Sequence, residues 1–164
     1  MLFLQLYIFL FSPINISSDN DIIKIRNQYY LAISEEGETR KLLNILENIS
    51  IKSSLILGYE GASKMLLAKH VFLPNQKFSF FNDGKKILES AISSDPSSLE
   101  LLFLRFSIQS SCPSFLKYNQ SLEKDRKSLV SGVKFLNDKD LKTRILTYLI
   151  TKSNLTEAER KQIQ

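Results

Sequence analysis

Apolar side chains recur every three or four residues over most of the chain, a spacing that places them along one face of an α-helix. The clearest example follows Asp19, where Ile22, Ile25, Tyr29 and Ile33 form one stripe. No segment shows the convincing alternation of apolar and polar residues that is typical of a strand. The periodicity predicts helices over 21–33, 38–49, 55–71, 82–94, 95–110, 121–136 and 138–151, with a short final helix after residue 156.

Short polar breaks separate most of these helices, and short connections favour antiparallel packing of neighbours. The sequence therefore predicts an all-α fold of seven or eight helices in antiparallel pairs. One connection is predicted to be longer. Residues 72–81 contain Pro74, and we expect them to form a loop whose Phe78, Phe80 and Phe81 pack back onto the domain.

Polar residues are placed to cap several of these helices. Asp95 is predicted to be the N-cap of the fifth helix, and Pro96 its first helical residue. Proline is tolerated there because the N–H that it lacks would have no partner inside the helix. Ser97 with Glu100 is an alternative capping box for the same helix. The other predicted caps are Ser53 or Ser54 for the third helix, and Thr156 with Glu159 for the last.

Small residues are concentrated in the third predicted helix, which contains Gly58, Gly61, Ala62 and Ala68. Glycine lowers the stability of an isolated helix. In exchange, the missing side chains allow a neighbouring backbone to come close. We therefore expect this helix to be the most enclosed one of the domain.

The first eighteen residues carry no charge, and residues 1–11 are almost entirely apolar. Eleven residues are too few to cross a bilayer as a helix, but they match the apolar part of a secretory signal peptide. Pro13 would end that helix, and Ser17-Ser18 offer small residues for cleavage. We predict a signal peptide over 1–18, a single domain over 19–164 and export to the periplasm or medium. A buried N-terminal helix is the alternative, in which case the protein would remain cytoplasmic.

Composition removes several classes of site. The chain has one cysteine, Cys112, and one histidine, His70, so it can form neither an internal disulfide nor a zinc site of the Cys/His type. We expect no metal and no cofactor. The net charge is +5, and the excess lies after Lys117. A basic surface for nucleic acid or anionic lipid is one interpretation, but acidic residues alternate with the lysines there, so no nucleic-acid partner is expected.

Residues Gly84, Leu88, Ala91 and Pro96 have the spacing found in the second half of a tetratricopeptide repeat. The chain resembles that family over about half a repeat. The resemblance implies an α-α superhelix whose concave face binds an extended peptide or another protein. The chain is also similar to small exported bacterial helical proteins without an assigned activity, through the segments 57–70 and 104–119. That resemblance implies a fold and a compartment, but no chemistry.

Two charged residues occur within apolar or small-residue helices, Glu60 in the third and Arg105 in the fifth. A buried charge must be paired or neutralised, so we hypothesise that these two helices pack together and that Glu60 pairs with Arg105. The pair would be either an internal clamp or, with Tyr59 and Lys64, a polar site for a peptide or small ligand.

An enzyme is the alternative function, with a site formed by Glu60, His70 and Arg105. His70, however, lies where a helix is expected to end, and there the helix dipole and the last carbonyl groups favour a histidine. Cys112 follows a helix C-terminus, which disfavours a thiolate. No catalytic motif is present, so no residue is assigned a catalytic role. The preferred function is a protein- or peptide-binding scaffold module.

Overall fold

The computed structural model describes residues 19–163, and these form eight α-helices and two short 3-10 helices. No strand occurs within that range, so the predicted all-α fold is confirmed. Each of the first five helices packs against the next one in the chain, as predicted. The predicted signal peptide lies outside the described residues. The helices are α1 Asp19–Ala32, α2 Glu36–Glu47, α3 Ser54–His70, α4 Pro74–Ser94, α5 Leu99–Ser111, α6 Leu122–Gly132, α7 Lys139–Lys152 and α8 Glu157–Ile163, with the 3-10 helices Ser114–Leu116 and Val133–Phe135.

The connection between α3 and α4 is much shorter than predicted. The expected loop over 72–81 is wrong, because α4 begins at Pro74 and runs for 21 residues. Proline is well tolerated at the first position of a helix, so Pro74 starts α4 instead of interrupting it. The period also extends further back than we recognised, since Phe81 is buried on the same side of α4 as Gly84 and Leu88.

Two glycines allow α3 and α4 to come into backbone contact. A Cβ atom added to Gly61 would lie 2.6 Å from the carbonyl oxygen of Gly84, and one added to Gly84 would lie 2.4 Å from the carbonyl oxygen of Gly61. Neither distance is possible for a real side chain. The small residues of α3 therefore allow a neighbouring backbone to come close, as predicted. They make α3 and α4 the most closely packed helix pair among the described residues.

The start of α5 differs from the prediction. Asp95 is not its N-cap, because its N–H donates to the carbonyl of Ala91 and closes α4. The alternative box of Ser97 with Glu100 is not formed either. Ser98 is the N-cap, and its hydroxyl accepts the N–H of Leu101 at 3.3 Å. Pro96 therefore lies in the turn between the two helices.

Other helix starts follow the sequence signals closely. The hydroxyl of Ser53 caps α3 by accepting the N–H of Ile56. The predicted capping box of α8 is present, with the Thr156 N–H donating to Glu159 Oε2 at 2.8 Å and the Glu159 N–H donating to the Thr156 hydroxyl. These caps depend only on local sequence, which explains why they could be predicted.

Helices α3 and α5 occupy the centre of the domain. Helix α3 contacts α1, α2, α4 and α5, whereas α5 contacts α3, α4, α6 and α7. Most buried apolar residues belong to a single core around these two helices. All other described helices thus have one face on the central pair or on its direct neighbours.

We predict that Gly61→Ala destabilises the protein by about 1–3 kcal/mol, because the new methyl group meets backbone atoms that cannot turn away. Urea denaturation measures the change. Gly37→Ala is the matched control, since nothing lies within 4 Å of that position and alanine favours helix by about 1 kcal/mol. Equal effects of the two substitutions would contradict the close approach of α3 and α4.

Candidate functional site

The predicted ion pair between Glu60 and Arg105 does not form, and that hypothesis is wrong. Both residues are buried and their helices are in contact, as expected. Glu60 instead accepts a hydrogen bond from Lys52 Nζ at 2.6 Å, whereas Arg105 pairs with residues of α4 and α6.

The geometry of α5 explains why this pair is absent. Five residues separate Glu100 from Arg105, and at 100° per residue their side chains point about 140° apart. Glu100 faces α1 and α3, whereas Arg105 faces α4 and α6. A residue on α3 therefore meets Glu100 and not Arg105. Tyr59 shows this directly, since its hydroxyl donates to Glu100 Oε1 at 2.5 Å.

The four predicted binding residues consequently belong to separate polar groups. Tyr59 joins the group around Glu100, and Glu60 pairs with Lys52. Lys64 pairs with Glu47 of α2 at 2.6 Å. Arg105 forms a further group, so the four side chains do not converge on one polar site.

The largest of these groups is centred on Arg26, which the sequence analysis did not identify. Arg26 is only 1% exposed, and its guanidinium makes two hydrogen bonds with Glu100, at 2.8 and 2.9 Å. It also donates to Asp138 at 2.9 Å and to Asp140 at 2.7 Å, at the start of α7. One side chain of α1 thereby joins α5 and α7.

Burial and neighbouring charges act in opposite directions on the pKa values of Arg26, Asp138 and Asp140. Burial alone would lower the pKa of Arg26, but the three carboxylates outweigh it and raise that pKa. Partial burial would raise the pKa of Asp138, but the Leu141 N–H and the Arg26 guanidinium lower it below its usual value. Arg144 is the main cause of the lowered pKa of Asp140, with a further contribution from Arg26. We refer to Arg26, Glu100, Asp138 and Asp140 as the Arg26 network.

A sequence signal for Arg26 did exist. The residue lies four positions after Ile22 and three before Tyr29, so it falls on the apolar stripe of α1. Glu60 and Arg105 were singled out as charges among apolar or small residues, and Arg26 is likewise a charge among the apolar residues of its stripe. The same reasoning applied to α1 would have found Arg26, although not its partners.

Arg105 is the centre of a second buried group. Its guanidinium binds Asp125 through two hydrogen bonds of 2.7 and 2.8 Å, and it donates to Glu89 at 2.7 Å. Asp125 is completely buried. The hydroxyl of Tyr118 donates to Glu89 at 2.5 Å, and together burial and this carboxylate raise the pKa of Tyr118. The group clamps α4, α5 and α6 together.

His70 does not join Glu60 and Arg105 in a common site. Ten residues of α3 separate His70 from Glu60, which corresponds to about 15 Å along the helix. Nε2 of His70 is buried without a hydrogen-bond partner in the described part of the chain. The predicted bond between this histidine and the last carbonyls of α3 is therefore not made through Nε2.

A concave feature of the described residues is an apolar groove of about 770 Å³ between α1, α3, α4 and α5. Seven of its 21 lining residues are aromatic. Phe103 and Tyr148 pack edge to face with their centroids 5.5 Å apart, and the exposed rings of Phe78 and Phe115 lie at its opening. We call this feature the aromatic groove. Its lining also includes Tyr29, Tyr30, Ile33, Met65, Leu66, Ala68, Lys69, Pro74, Lys77, Phe81, Leu104, Ser107, Ile108, Ser111, Cys112, Pro113 and Leu116.

Few polar atoms of the aromatic groove remain available to a ligand. The hydroxyl of Ser107 donates to the carbonyl of Leu104, and the hydroxyl of Tyr148 donates to the carbonyl of Ser107 at 3.2 Å. Burial raises the pKa of Tyr30 to about 12, so this phenol stays neutral. Burial also raises the pKa of the Cys112 thiol, which agrees with the argument from the sequence against a thiolate at this position. The groove is thus mainly an apolar surface.

The sequence predicted none of this groove as a site. Its walls come from α1, α3, α4, α5, α7 and the turn after α5, and their relative placement depends on long-range packing. Two of its rings, Phe78 and Phe81, lie in the segment that was expected to be a loop.

Comparison of the chain with protein-family models, with curated proteins and with solved structures gave no match. Residues 19–163 contain no cluster of side chains suited to hold a metal ion. Within the same range, no helix is both long and apolar enough to cross a membrane. The geometry of the groove and of the polar groups is therefore the evidence for a function.

We predict that Arg26→Met lowers the free energy of unfolding by about 3–5 kcal/mol, because it leaves the buried carboxylate of Glu100 without its guanidinium. Thermal or urea denaturation measures the loss. Arg40→Met is the matched control, since the pair of Arg40 with Glu36 is exposed and should change stability by less than about 1 kcal/mol. A loss of similar size in the two variants would show that the Arg26 network is not important for stability.

We also predict a specific acid dependence for Asp140. Its pKa is lowered in the folded protein, so its stabilising effect is complete above the ordinary pKa near 4 and is lost as pH falls through the lower folded value. Asp140→Asn should therefore be less stable than the wild type at pH 6, and the difference should vanish towards pH 2. Chemical denaturation at several pH values checks this. In Asp83→Asn, which removes only a 3.4 Å contact with Ser79, we expect no such difference.

Proposed function

We propose that this chain is a binding module and that the aromatic groove is its binding site. One observation carries the proposal: the described helices leave a groove of about 770 Å³ with an apolar lining open to solvent. Cavities of 300–1,000 Å³ with a mainly apolar lining and few polar groups are typical of binding sites for small ligands. Burial of apolar groups in the groove would supply the affinity.

The polar atoms of the groove restrict the kind of ligand. An extended peptide carries an N–H and a carbonyl at almost every residue, and each costs free energy if it is buried without a partner. The hydroxyls of Ser107 and Tyr148 already donate to carbonyls of α5, so neither of them can also donate to a peptide carbonyl. A hydrocarbon chain, or a helix that satisfies its own backbone, suits it better.

A protein-binding scaffold, as expected from the sequence, is the second candidate. The exposed rings of Phe78 and Phe115 at the opening favour it, because exposed aromatic residues are frequent anchors at protein interfaces. An amphipathic helix of a partner could place its apolar face there. The α-α superhelix implied by the resemblance to the tetratricopeptide repeat is a further proposal, and it too would provide a surface for a protein partner.

The polar groups support a structural role more than a catalytic one. Glu60, Arg105 and Arg26 each have a charged partner within 3 Å. Arg126 of the C-terminal basic part also pairs with carboxylates, those of Glu123 and Glu159. These pairings favour a binding module over the enzyme.

A neutral fluorescent probe, N-phenyl-1-naphthylamine, tests the groove. We predict that the full chain binds it and that the double variant Phe78→Ser/Phe115→Ser reduces the affinity about thirtyfold, since each of the two lost apolar contacts contributes roughly 1 kcal/mol. Fluorescence titration measures the binding.

The matched control removes the same amount of exposed apolar surface elsewhere. Ile51 and Phe135 are 78% and 75% exposed and do not line the groove, so Ile51→Ser/Phe135→Ser should bind the probe as the wild type does. A probe that the wild type does not bind, or that both double variants bind equally weakly, would count against the groove.

Export through residues 1–18 remains part of the proposal. We expect that a secreting bacterial host expressing the full chain releases a product beginning near Asp19. Mass spectrometry of the exported fraction measures this. Recovery of the intact chain from the cytoplasm alone would contradict the signal peptide.

A further inference from the structure

The aromatic groove has an uneven distribution of charge. Two lysines are among its lining residues, Lys69 from the last turn of α3 and Lys77 from the first turn of α4. No aspartate or glutamate lines the groove. Since the remaining lining is mainly apolar, the groove combines an apolar body with two positive charges.

The two lysines differ in how much of their bonding capacity is used. Lys69 Nζ donates to the carbonyl of Ile33 at 3.1 Å, which leaves two of its three N–H groups. Lys77 is half-buried, and within residues 19–163 its ammonium group has neither a hydrogen bond nor an ion pair. By contrast, Lys52 and Lys64 each bind a carboxylate at 2.6 Å.

The start of α4 adds to the positive character of this end of the groove. Pro74 lines the groove, and the N-cap Leu73 has no side-chain oxygen to accept the first free N–H groups of the helix. The N-terminus of a helix carries a partial positive charge. This charge has the same sign as Lys69 and Lys77.

We propose that the ligand of the groove is a long-chain carboxylate, a molecule with one hydrocarbon chain and one anionic head group. The chain would lie against Phe103, Ile108 and the neighbouring apolar residues, and Lys77 with Lys69 would bind the carboxylate. Charge-assisted hydrogen bonds of this type are stronger than neutral ones. This inference depends on the proposed function, because it names the ligand of the same site.

The volume and the chemistry of the groove agree with this ligand. A hydrocarbon chain has no hydrogen-bonding groups, so it can be buried where the lining offers none. A neutral apolar molecule would leave Lys77 without a partner, whereas a second charged group on the ligand would have no counterpart in the apolar part. A ligand with a single carboxylate at one end would pair with Lys77 and would place no charge in the apolar part of the groove.

The test is displacement of N-phenyl-1-naphthylamine from the full chain by dodecanoate, dodecanol or dodecylammonium, each below its micelle-forming concentration. We expect dodecanoate to bind about tenfold more tightly than dodecanol and dodecylammonium to bind most weakly. Salt should reduce only the preference for the acid, because it screens the charges. Cys112, the one cysteine of the sequence and part of the lining, gives an independent signal. Dodecanoate should slow its reaction with a thiol reagent.

Substitutions separate the head group from the chain. Lys77→Gln/Lys69→Gln should lower the affinity for dodecanoate about tenfold, to that of dodecanol, and leave dodecanol unchanged. Lys86→Gln is the matched control, since Lys86 is an exposed lysine of the same helix outside the groove, and it should bind dodecanoate as the wild type does.

The outcomes distinguish the ligand from the site. If dodecanol and dodecanoate bind equally, or if the ammonium compound binds best, the inference is overturned while the proposed function stands. If none of the three displaces a bound probe, the inference is overturned and the long-chain carboxylate is excluded as the ligand of the groove. If the probe itself does not bind, the proposed function fails.

Discussion

The rest of this fold depends on the hydrogen bonds that the buried guanidinium of Arg26 makes. Four hydrogen bonds connect it to Glu100, Asp138 and Asp140, which lie 74 to 114 residues further along the chain. Glu100 also accepts the hydroxyl of Tyr59. Helices α1, α3, α5 and α7 are thereby fixed to one buried point. Because a buried charge is tolerated only with its partners in place, the four helices have little freedom to shift relative to one another.

This constraint is also what gives the aromatic groove its walls. Tyr29 and Tyr30 follow Arg26 on α1, and Tyr148 follows Asp140 on α7. All three rings line the groove. Arg144 connects the two features directly, since it binds Asp140 and lies 4.3 Å from the ring centroid of Tyr30. A polar network that has no free group for a ligand thus determines the shape of an apolar site beside it.

Local features of the fold could be predicted, whereas long-range ones could not. The caps formed by Ser53 and by Thr156 with Glu159 need only a few adjacent residues, and the sequence predicts them correctly. The small residues of α3 predict the close approach of a neighbouring backbone, although not that the neighbour is α4 and that Gly84 lies opposite Gly61. The start of α4 was placed too late, because Pro74 was interpreted as a helix breaker and not as a first helical residue.

The candidate site was less accessible from sequence. Burial of Glu60 and Arg105 was foreseen, but their partners depend on which side of each helix faces which neighbour. Glu100 and Arg105 lie on one helix and serve two separate networks, a distinction that periodicity alone does not reveal. The groove is still harder to predict, since five helices and a 3-10 turn contribute to it and no local pattern marks them as a set.

The sequence separation within the Arg26 network has a consequence for the order in which the chain folds. A ribosome synthesises α1 long before α7, so Arg26 emerges without Asp138 and Asp140. Until those carboxylates are present, docking α1 would bury a charge that is only partly compensated. The native packing of α1 is therefore completed only after Asp138 and Asp140, at the start of α7, have been made.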